Sequence, residues 1–429
     1  MKKILIIGNG IAGITAANEI RRLDQKSKIT IASRESENFF SRTALMYEFC
    51  GQMSRKNLEP FESNHYERMN FQRISDEAIS VDPQKQLVEF KNQTQVEYDQ
   101  LLLACGSQPA IIPWHTPNLT NVGTFVTLND LEWLKAKSAE LLSKGKNKVA
   151  IIGGGLIGIE VAEILALAGF EVSFIIREKW FWPIALNSKE SPMIARNMSK
   201  HGVNVMLETE VAEPIVSNDE ITGFNLNTGQ ELNVDLVMVS IGVSPVTSWL
   251  EGSGIKLSED RFKAIEANDH LETNFENIYT AGDCANVTWF NGVRRPEQLW
   301  YTGRDQGLIA GKNICGQKKT YARGILYNSA KLFDVEYTTA GLVNFPLEGL
   351  SEWYQENPKE YLSQRIVIQN GKVIGFNMLG SRWDHTKMTK WIEEGRDLDF
   401  VLENLNSARF DAEFTPKFKI LKTAETYAL

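Results

Sequence analysis

Apolar residues follow two rhythms along the chain. Lys3 to Ile7 is a short apolar run that breaks at Gly8, after which Ile14, Ala17 and Ile20 recur at helical spacing as far as Arg22. Lys28 to Ala32 is a second short run, with Glu35 just past its end. The succession returns farther on: Val149 to Ile152, a glycine-rich turn, good helix formers from Ile159 to Ala168, then Val172 to Ile176. Short apolar runs that alternate with helices predict parallel strands covered on both faces. Tyr98–Ala104 and Asp235–Ile241 read as further strands. Asn277 to Thr280 reads as another, running into a Gly282-Asp283 turn, and a helix is expected through Tyr301–Ile314. Beyond about Thr320 the pattern changes. Arg365 to Phe376 reads as a β-hairpin turning at Asn370-Gly371, and helical stretches follow near Lys387–Glu394 and Leu398–Leu405. The fold class expected is α/β: two Rossmann-like three-layer domains plus a C-terminal α+β domain.

The glycine turns carry the chemistry. Gly8-Asn9-Gly10-Ile11-Ala12-Gly13 and Gly153-Gly154-Gly155-Leu156-Ile157-Gly158 each fit GxGxxG between a strand and a helix. The first glycine allows a tight turn, the second lets backbone approach a pyrophosphate, and the third lets helix and strand pack closely. The helix N-terminus then offers free N–H groups and a positive dipole end to the phosphates. A ligand-free turn has no use for this glycine spacing twice, so the chain reads as an internally duplicated dinucleotide site. An acid after the second strand suits a ribose diol, and Glu35 fills that place in the first repeat. In the second repeat the strand ends on Ile176, with Arg177 next. Arg177 either pairs with a 2′-phosphate, which favours NADPH over NADH, or is a solvated strand-end charge. Glu178 and Lys179 leave that choice open. Trp180-Phe181-Trp182 sets three aromatics in a row, read as a loop packed back on its domain or as a lid or docking patch.

Composition narrows the picture. The chain has 429 residues and a net charge of −8, with no dense block of Lys or Arg, so it has little electrostatic pull on nucleic acid. No apolar run reaches the roughly 18 residues of a membrane span. The apolar run after Met1-Lys2-Lys3 stops at Gly8, too short for a signal-peptide core. A cytoplasmic monomer or homodimer is expected. Cys50, Cys105, Cys284 and Cys315 form no close pair along the chain, and the histidines show no zinc pattern. The cysteines read as small packed side chains, with no metal site.

Further motifs join the glycine turns: Leu101-Leu102-Leu103-Ala104-Cys105-Gly106-Ser107-Gln108-Pro109, Gly242-x-x-Pro245 and Ile278-Tyr279-Thr280-Ala281-Gly282-Asp283, with Glu35 and Glu160. Together, over residues 1 to about 315, they resemble the two-dinucleotide-binding-domain flavoproteins, the pyridine nucleotide-disulfide oxidoreductase superfamily. The resemblance implies FAD on the first repeat, with Asp283 on its ribityl chain and Ala104, Gly106 and Gly282 lining its site. It implies NADH or NADPH on the second, with the Gly242 loop along the nicotinamide half. A discontinuous FAD domain over 1–115 and 252–318 and an NAD(P) domain over 116–251 follow, which leaves 319–429 as the C-terminal domain.

One departure bears on the subclass. Thr43 stands where the disulfide reductases carry their redox cysteine, and a hydroxyl cannot cycle through a disulfide. Phe40-Ser41-Arg42-x-x-Leu45 is instead similar to rubredoxin and ferredoxin reductases and to the flavin portion of nitrite reductases, in which Arg42 would approach the FAD pyrophosphate. Pro296-Glu297-Gln298-Leu299-Trp300, with Gln306-Gly307 and Ala310-Gly311, resembles the same branch. It would put Trp300 near the isoalloxazine ring, or leave it as core. Glu160 is the candidate catalytic residue. In relatives it pairs with a lysine, whose place here is Tyr47, so Glu160 either positions the nicotinamide amide through another partner or is a plain helix N-terminal carboxylate. The implied activity is an FAD-dependent NAD(P)H oxidoreductase that passes electrons on without a cysteine relay. The branch favours a small iron electron-transfer protein as acceptor. A small-molecule acceptor (oxygen, a quinone or a nitro compound) and an NAD(P)H-responsive regulatory flavoprotein are the alternatives.

Overall fold

The computed structural model describes residues 1–429 except 115–117, 290, 411–412, 414–419, 421–425 and 429. The chain divides into two compact units. One comprises Met1–Ala110, Val126–Trp133 and Val243–Gly324; the other comprises Ile111–Phe125, Leu134–Gly242 and Ile325–Leu429.

In the first unit a five-stranded parallel sheet runs in the order Ile278–Thr280, Gln100–Leu103, Lys3–Ile7, Lys28–Ser33, Phe71–Ser75. Its middle strands are covered on both faces. Ile4, Ile6 and Leu102 pack with Ala16, Ala17 and Ile20 of the helix Ile11–Leu23. Leu5, Leu101 and Leu103 pack with Val81, Val88 and Phe90 of a three-stranded antiparallel sheet. Burial on both sides is why these strands read as unbroken apolar runs. The helix Trp300–Ile314 meets Ile11–Leu23 backbone to backbone. A Cβ on Gly307 would lie 2.3 Å from the Ala12 carbonyl oxygen, and one on Gly311 would lie 2.9 Å from that of Ala16.

The second unit repeats the plan with the order Asn204–Met206, Glu171–Ile175, Lys148–Ile152, Leu236–Val239, Val122–Gly123, again parallel. Three antiparallel strands between Val211 and Asn233 put Ile221, Phe224 and Leu226 against one face. The same unit holds a six-stranded antiparallel sheet built from Tyr327 to Ala428. One face of that sheet buries Trp353, Ile366, Phe376 and Met378 against Met388, Trp391 and Val401 of the helices His385–Glu393 and Leu398–Asn404. Asp384 and Asp397 cap these helices through their side chains. Asn370 and Gly371 turn the hairpin with φ of 52° and 75°, the pair of positive values that a tight two-residue hairpin turn requires.

Elements and expectations differ in places. Both glycine-turn helices begin inside their motifs, at Ile11 and Leu156, because the last glycine already lies in the first helical turn. Residues 325–429 fall in the second of the two compact units. Ser107–Pro109, at the end of the motif that begins at Leu101, pairs antiparallel with Val243–Pro245. Among the described residues no helix is long and apolar enough to cross a membrane.

Candidate functional site

Each glycine turn is forced by its own backbone. Gly8 has φ +112°, and a Cβ on it would fall 2.0 Å from the Ala104 carbonyl oxygen. Gly153 has φ +113°, and a Cβ there would fall 2.4 Å from the Ser240 carbonyl oxygen. The third glycines close onto the first: Cβ atoms on Gly13 and Gly158 would lie 2.0 and 2.4 Å from the carbonyl oxygens of Gly8 and Gly153. The middle glycines are different. Gly10 and Gly155 are the N-cap residues, neither offers a side-chain cap, and a Cβ on either meets nothing within 4 Å. Open space in front of uncapped helix N–H groups is what a pyrophosphate needs.

In the first unit the remaining candidates gather around this turn. Glu35 accepts from two nitrogens of Arg42, at 2.6 and 3.2 Å, and from the Leu128 amide at 2.8 Å. The Arg42 guanidinium also donates to the Val126 carbonyl and lies 4.9 Å over the Phe40 ring. Leu128 and Val126 belong to a stretch that the sequence assigned to the other domain. Burial pushes the Asp283 carboxyl up to about 6, against the opposing pulls of the Ser107 hydroxyl and the Arg42 charge. Asp283 follows Gly282, whose φ is +84° and whose amide donates to Gln306 Oε1 at 2.7 Å. Gly282 lies on Ala12, 3.0 Å from an added Cβ. Gly106, at φ +69°, leaves the strand that ends beside Ala104. Trp300 opens its helix half-buried, with the Arg304 guanidinium 5.5 Å over its ring. Sequence reasoning missed Gln306 as the group that holds the Gly282-Asp283 turn, although its place beside Gly307 was the available signal.

In the second unit the strand end is more open. Ile176 is buried and packs on Gly154. Arg177 is exposed, and its Nε donates to Glu178 at 2.7 Å. Gly242, at φ +111°, ends this unit's stretch of chain. Phe181 is fully buried against Phe174, 6.1 Å between ring centroids, and Trp182 packs on Tyr337 at 5.0 Å. Glu160 lies in the first turns of the helix Leu156–Leu167. Burial, then the charge of Glu163, pushes its carboxyl up to about 7.

Residues 2–307 match the pyridine nucleotide-disulphide oxidoreductase family. This chain belongs to that family. It is an oxidoreductase, and the family implies FAD and a nicotinamide nucleotide. It is 28% identical over 402 residues to a nitrite reductase [NAD(P)H] of Bacillus subtilis, covering 92% of this chain and 48% of that one. The chain thus spans about half the length of that relative. It is also 28% identical to an NADH oxidase of Methanocaldococcus jannaschii, covering 88% of this chain and 87% of the other. The structure of an NAD-dependent persulfide reductase from A. fulgidus superposes with a TM-score of 0.83 at 26% identity, covering 94% of this chain and 78% of that one.

The family's name directs attention to the cysteines. Thr43 is exposed in the short turn Arg42–Ala44, with its hydroxyl 3.2 Å from that of Ser41, and Cys50 is half-buried past the next helix. The fold brings together two cysteines that lie far apart in sequence. Cys105 and Cys284 leave the ends of neighbouring parallel strands and pack in one core cluster. The Cys284 thiol donates to the Leu103 carbonyl at 3.4 Å, and a hydrogen bond with Cys284, together with burial, holds the Cys105 thiol well above its ordinary value. The same hydrogen bond lowers the Cys284 thiol, so of the two it is Cys105 that is held protonated and poorly nucleophilic.

Proposed function

We propose that this oxidoreductase binds FAD on residues 1–115 and 252–318 and a nicotinamide dinucleotide on 116–251, and passes electrons from NAD(P)H through the flavin to an acceptor without a cysteine relay. The observation that carries this reading is the open, uncapped glycine turn built twice, at Gly10 and at Gly155. FAD, when bound, supplies the redox chemistry, taking a hydride and giving up electrons. The chain supplies position and charge. The helix N-terminus at Ile11 would hold the FAD pyrophosphate, with Arg42 adding a cation, and Glu35 would accept from the ribose hydroxyls. Asp283, held by the Gly282 turn, would bind the ribityl chain, and Trp300 would serve the ring system.

The second nucleotide is read by Glu178. The Gly8 amide donates to the Ala32 carbonyl at 2.8 Å, and the Gly153 amide donates to that of Ile175 at 3.1 Å. Those strand residues are therefore equivalent, and three residues on, Glu35 corresponds to Glu178 and Arg34 to Arg177. An acid at the diol position and an arginine already paired with it favour NADH, not the NADPH that the bare pattern at Ile176-Arg177 favours. Glu160 positions the nicotinamide amide as a hydrogen-bonding carboxyl.

The acceptor is a small iron electron-transfer protein. A second reading, oxygen or another small molecule, is favoured by the near full-length match to a protein named NADH oxidase. Anaerobic stopped-flow mixing of the FAD-loaded protein with NADH and NADPH tests the first half-reaction. Rubredoxin, ferredoxin, oxygen and a quinone then test the second. Fast reduction by NADH and transfer to an iron protein are expected. A chain that takes up no FAD, or a flavin that neither nucleotide reduces, would overturn the reading.

A further inference from the structure

Arg365 is fully buried in the six-stranded sheet, yet its bonds point away from that sheet's helices. Its nitrogens reach the Glu190 carboxylate at 2.9 and 3.1 Å, Glu352 at 2.8 Å and the Ala185 carbonyl at 3.1 Å. Asn377, its neighbour across the strand pair, donates to the same Ala185 carbonyl at 3.1 Å. Asn344 donates to the Pro183 carbonyl at 2.9 Å. Both carbonyls belong to the loop that leaves the strand end at Ile176 and enters the helix at Glu190.

That loop carries a second, independent sign of being held from outside. Trp182 has φ +49°, a left-handed conformation that a bulky residue adopts only when its surroundings impose it. The surroundings are the same sheet, through Tyr337. The far half of the loop is thus fastened to the C-terminal strands. Among the described residues the near half, Arg177 to Lys179, has no bond to those strands; it carries Glu178, whose carbonyl accepts from the Glu208 amide at 3.2 Å.

We infer that Arg365 is a positioning residue for the nicotinamide cofactor: by gripping the Ala185 carbonyl and Glu190 it sets the course of the 177–189 loop, and so the place of Glu178 against the adenosine ribose. The C-terminal sheet is then a working part of the nucleotide site. This inference rests on the second glycine turn being that site. A planar, five-donor guanidinium suits the task because it grips a carbonyl and two carboxylates at once.

The test uses the FAD-loaded full chain with ADP-ribose as probe, alongside steady-state NADH kinetics and thermal melting. Arg365→Lys keeps a charge between Glu190 and Glu352 but cannot make the whole set of bonds. Asn344→Ala, at a half-buried position, removes the grip on Pro183 and the Oδ1 that accepts from Arg365 at 2.7 Å, leaves the other Arg365 bonds in place and keeps the variant series foldable. The inference expects ADP-ribose affinity to fall on the order of tenfold in Arg365→Lys and less in Asn344→Ala. The NADH KM should rise in step, with kcat at saturation and FAD content unchanged. A lowered melting temperature with unchanged ADP-ribose affinity in both variants would overturn it, since that is the signature of a purely structural clamp. Wild-type protein that keeps its FAD but binds no ADP-ribose would instead remove the site assignment on which the inference stands.

Discussion

The two glycine turns are built alike and finished differently. Their first glycines share φ values within a degree, their third glycines close on the same carbonyl, and their middle glycines face open space. The side chains around them diverge. The Glu35 carboxylate is held by Arg42 and by the Leu128 amide, while the Glu178 carboxylate, among the described residues, pairs with the exposed Arg177 beside it. On the helices, counting from the first glycine, Thr15 in the first repeat corresponds to Glu160 in the second. The turn admits no variation because any Cβ at its first or third glycine meets a carbonyl oxygen. Under the proposed function, what a turn reads is decided by residues a strand or a loop away, free to differ between a retained flavin and an exchanged nicotinamide nucleotide.

The sharpest way to separate the two sites is to fill the third glycine of each. Gly13→Val and Gly158→Val both drive a side chain into a backbone oxygen, which costs at least about 3 kcal/mol locally. Gly13→Val should purify without flavin absorbance. Gly158→Val should purify yellow, yet show no flavin reduction by NADH. Loss of FAD from both variants would mean that the turns are not independent sites.

Exchanging the two acids is the next largest change. A hydrogen bond to a charged group contributes about 1.5–3 kcal/mol, so Glu178→Gln should weaken NADH roughly 10- to 100-fold and spare FAD. Glu35→Gln should cost more in FAD retention, because it also leaves Arg42 without its carboxylate. Equilibrium dialysis of FAD and rapid-mixing titrations with NADH measure both. If Glu178→Gln leaves NADH binding intact, the register equivalence has no functional meaning.

Much of this contrast was legible in the chain. The glycine spacing and the doubly buried strands follow from local sterics and burial, so both Rossmann units could be read from Gly8 and Gly153 outward. The pairing of Glu178 with Glu35 could not, since it depends on which strand residue bonds the first glycine. The short antiparallel strands at Ala78–Asp82 and Val211–Ser217 carry many exposed residues and little periodic signal. The Leu128 contact to Glu35, the Cys105–Cys284 pairing and the Arg365 clamp join residues about 90 to 180 positions apart. Long-range pairings of that kind leave no mark in a local pattern.

Glu160 gives the comparison a pH axis that Thr15 lacks. Its carboxyl titrates at about 7, above its ordinary value of 4.5, chiefly because of burial. Folding therefore favours the neutral form. The stability that Glu160 contributes is complete below the ordinary value and is lost as pH rises through about 7. The loss is on the order of 3 kcal/mol. Glu160→Gln should flatten that part of the stability curve, making the variant the more stable protein under alkaline conditions. Denaturant melts across the acid-to-alkaline range, on wild type and variant, measure it. Parallel curves would show that Glu160 is solvated and ordinary. The Thr15→Val control in the first repeat should leave the slope untouched.

The smallest effect is expected at Arg177, and it decides between the two nicotinamide cofactors. If Arg177 reads a 2′-phosphate, Arg177→Ala should weaken NADPH by about 1–3 kcal/mol and leave NADH alone. The structure instead has its Nε donating to Glu178, with the side chain exposed. An exposed pair of this kind contributes about 0–1 kcal/mol, mostly by keeping the carboxylate in place. Arg177→Ala should therefore shift NADH and NADPH together, by less than about fivefold. Flavin-reduction rates across a range of each nucleotide, for wild type and variant, give both affinities in one experiment. A selective loss of NADPH would return the strand end to phosphate recognition and leave Glu178 as its counter-ion. A joint, small loss would leave the acid as the reader and the arginine as its support.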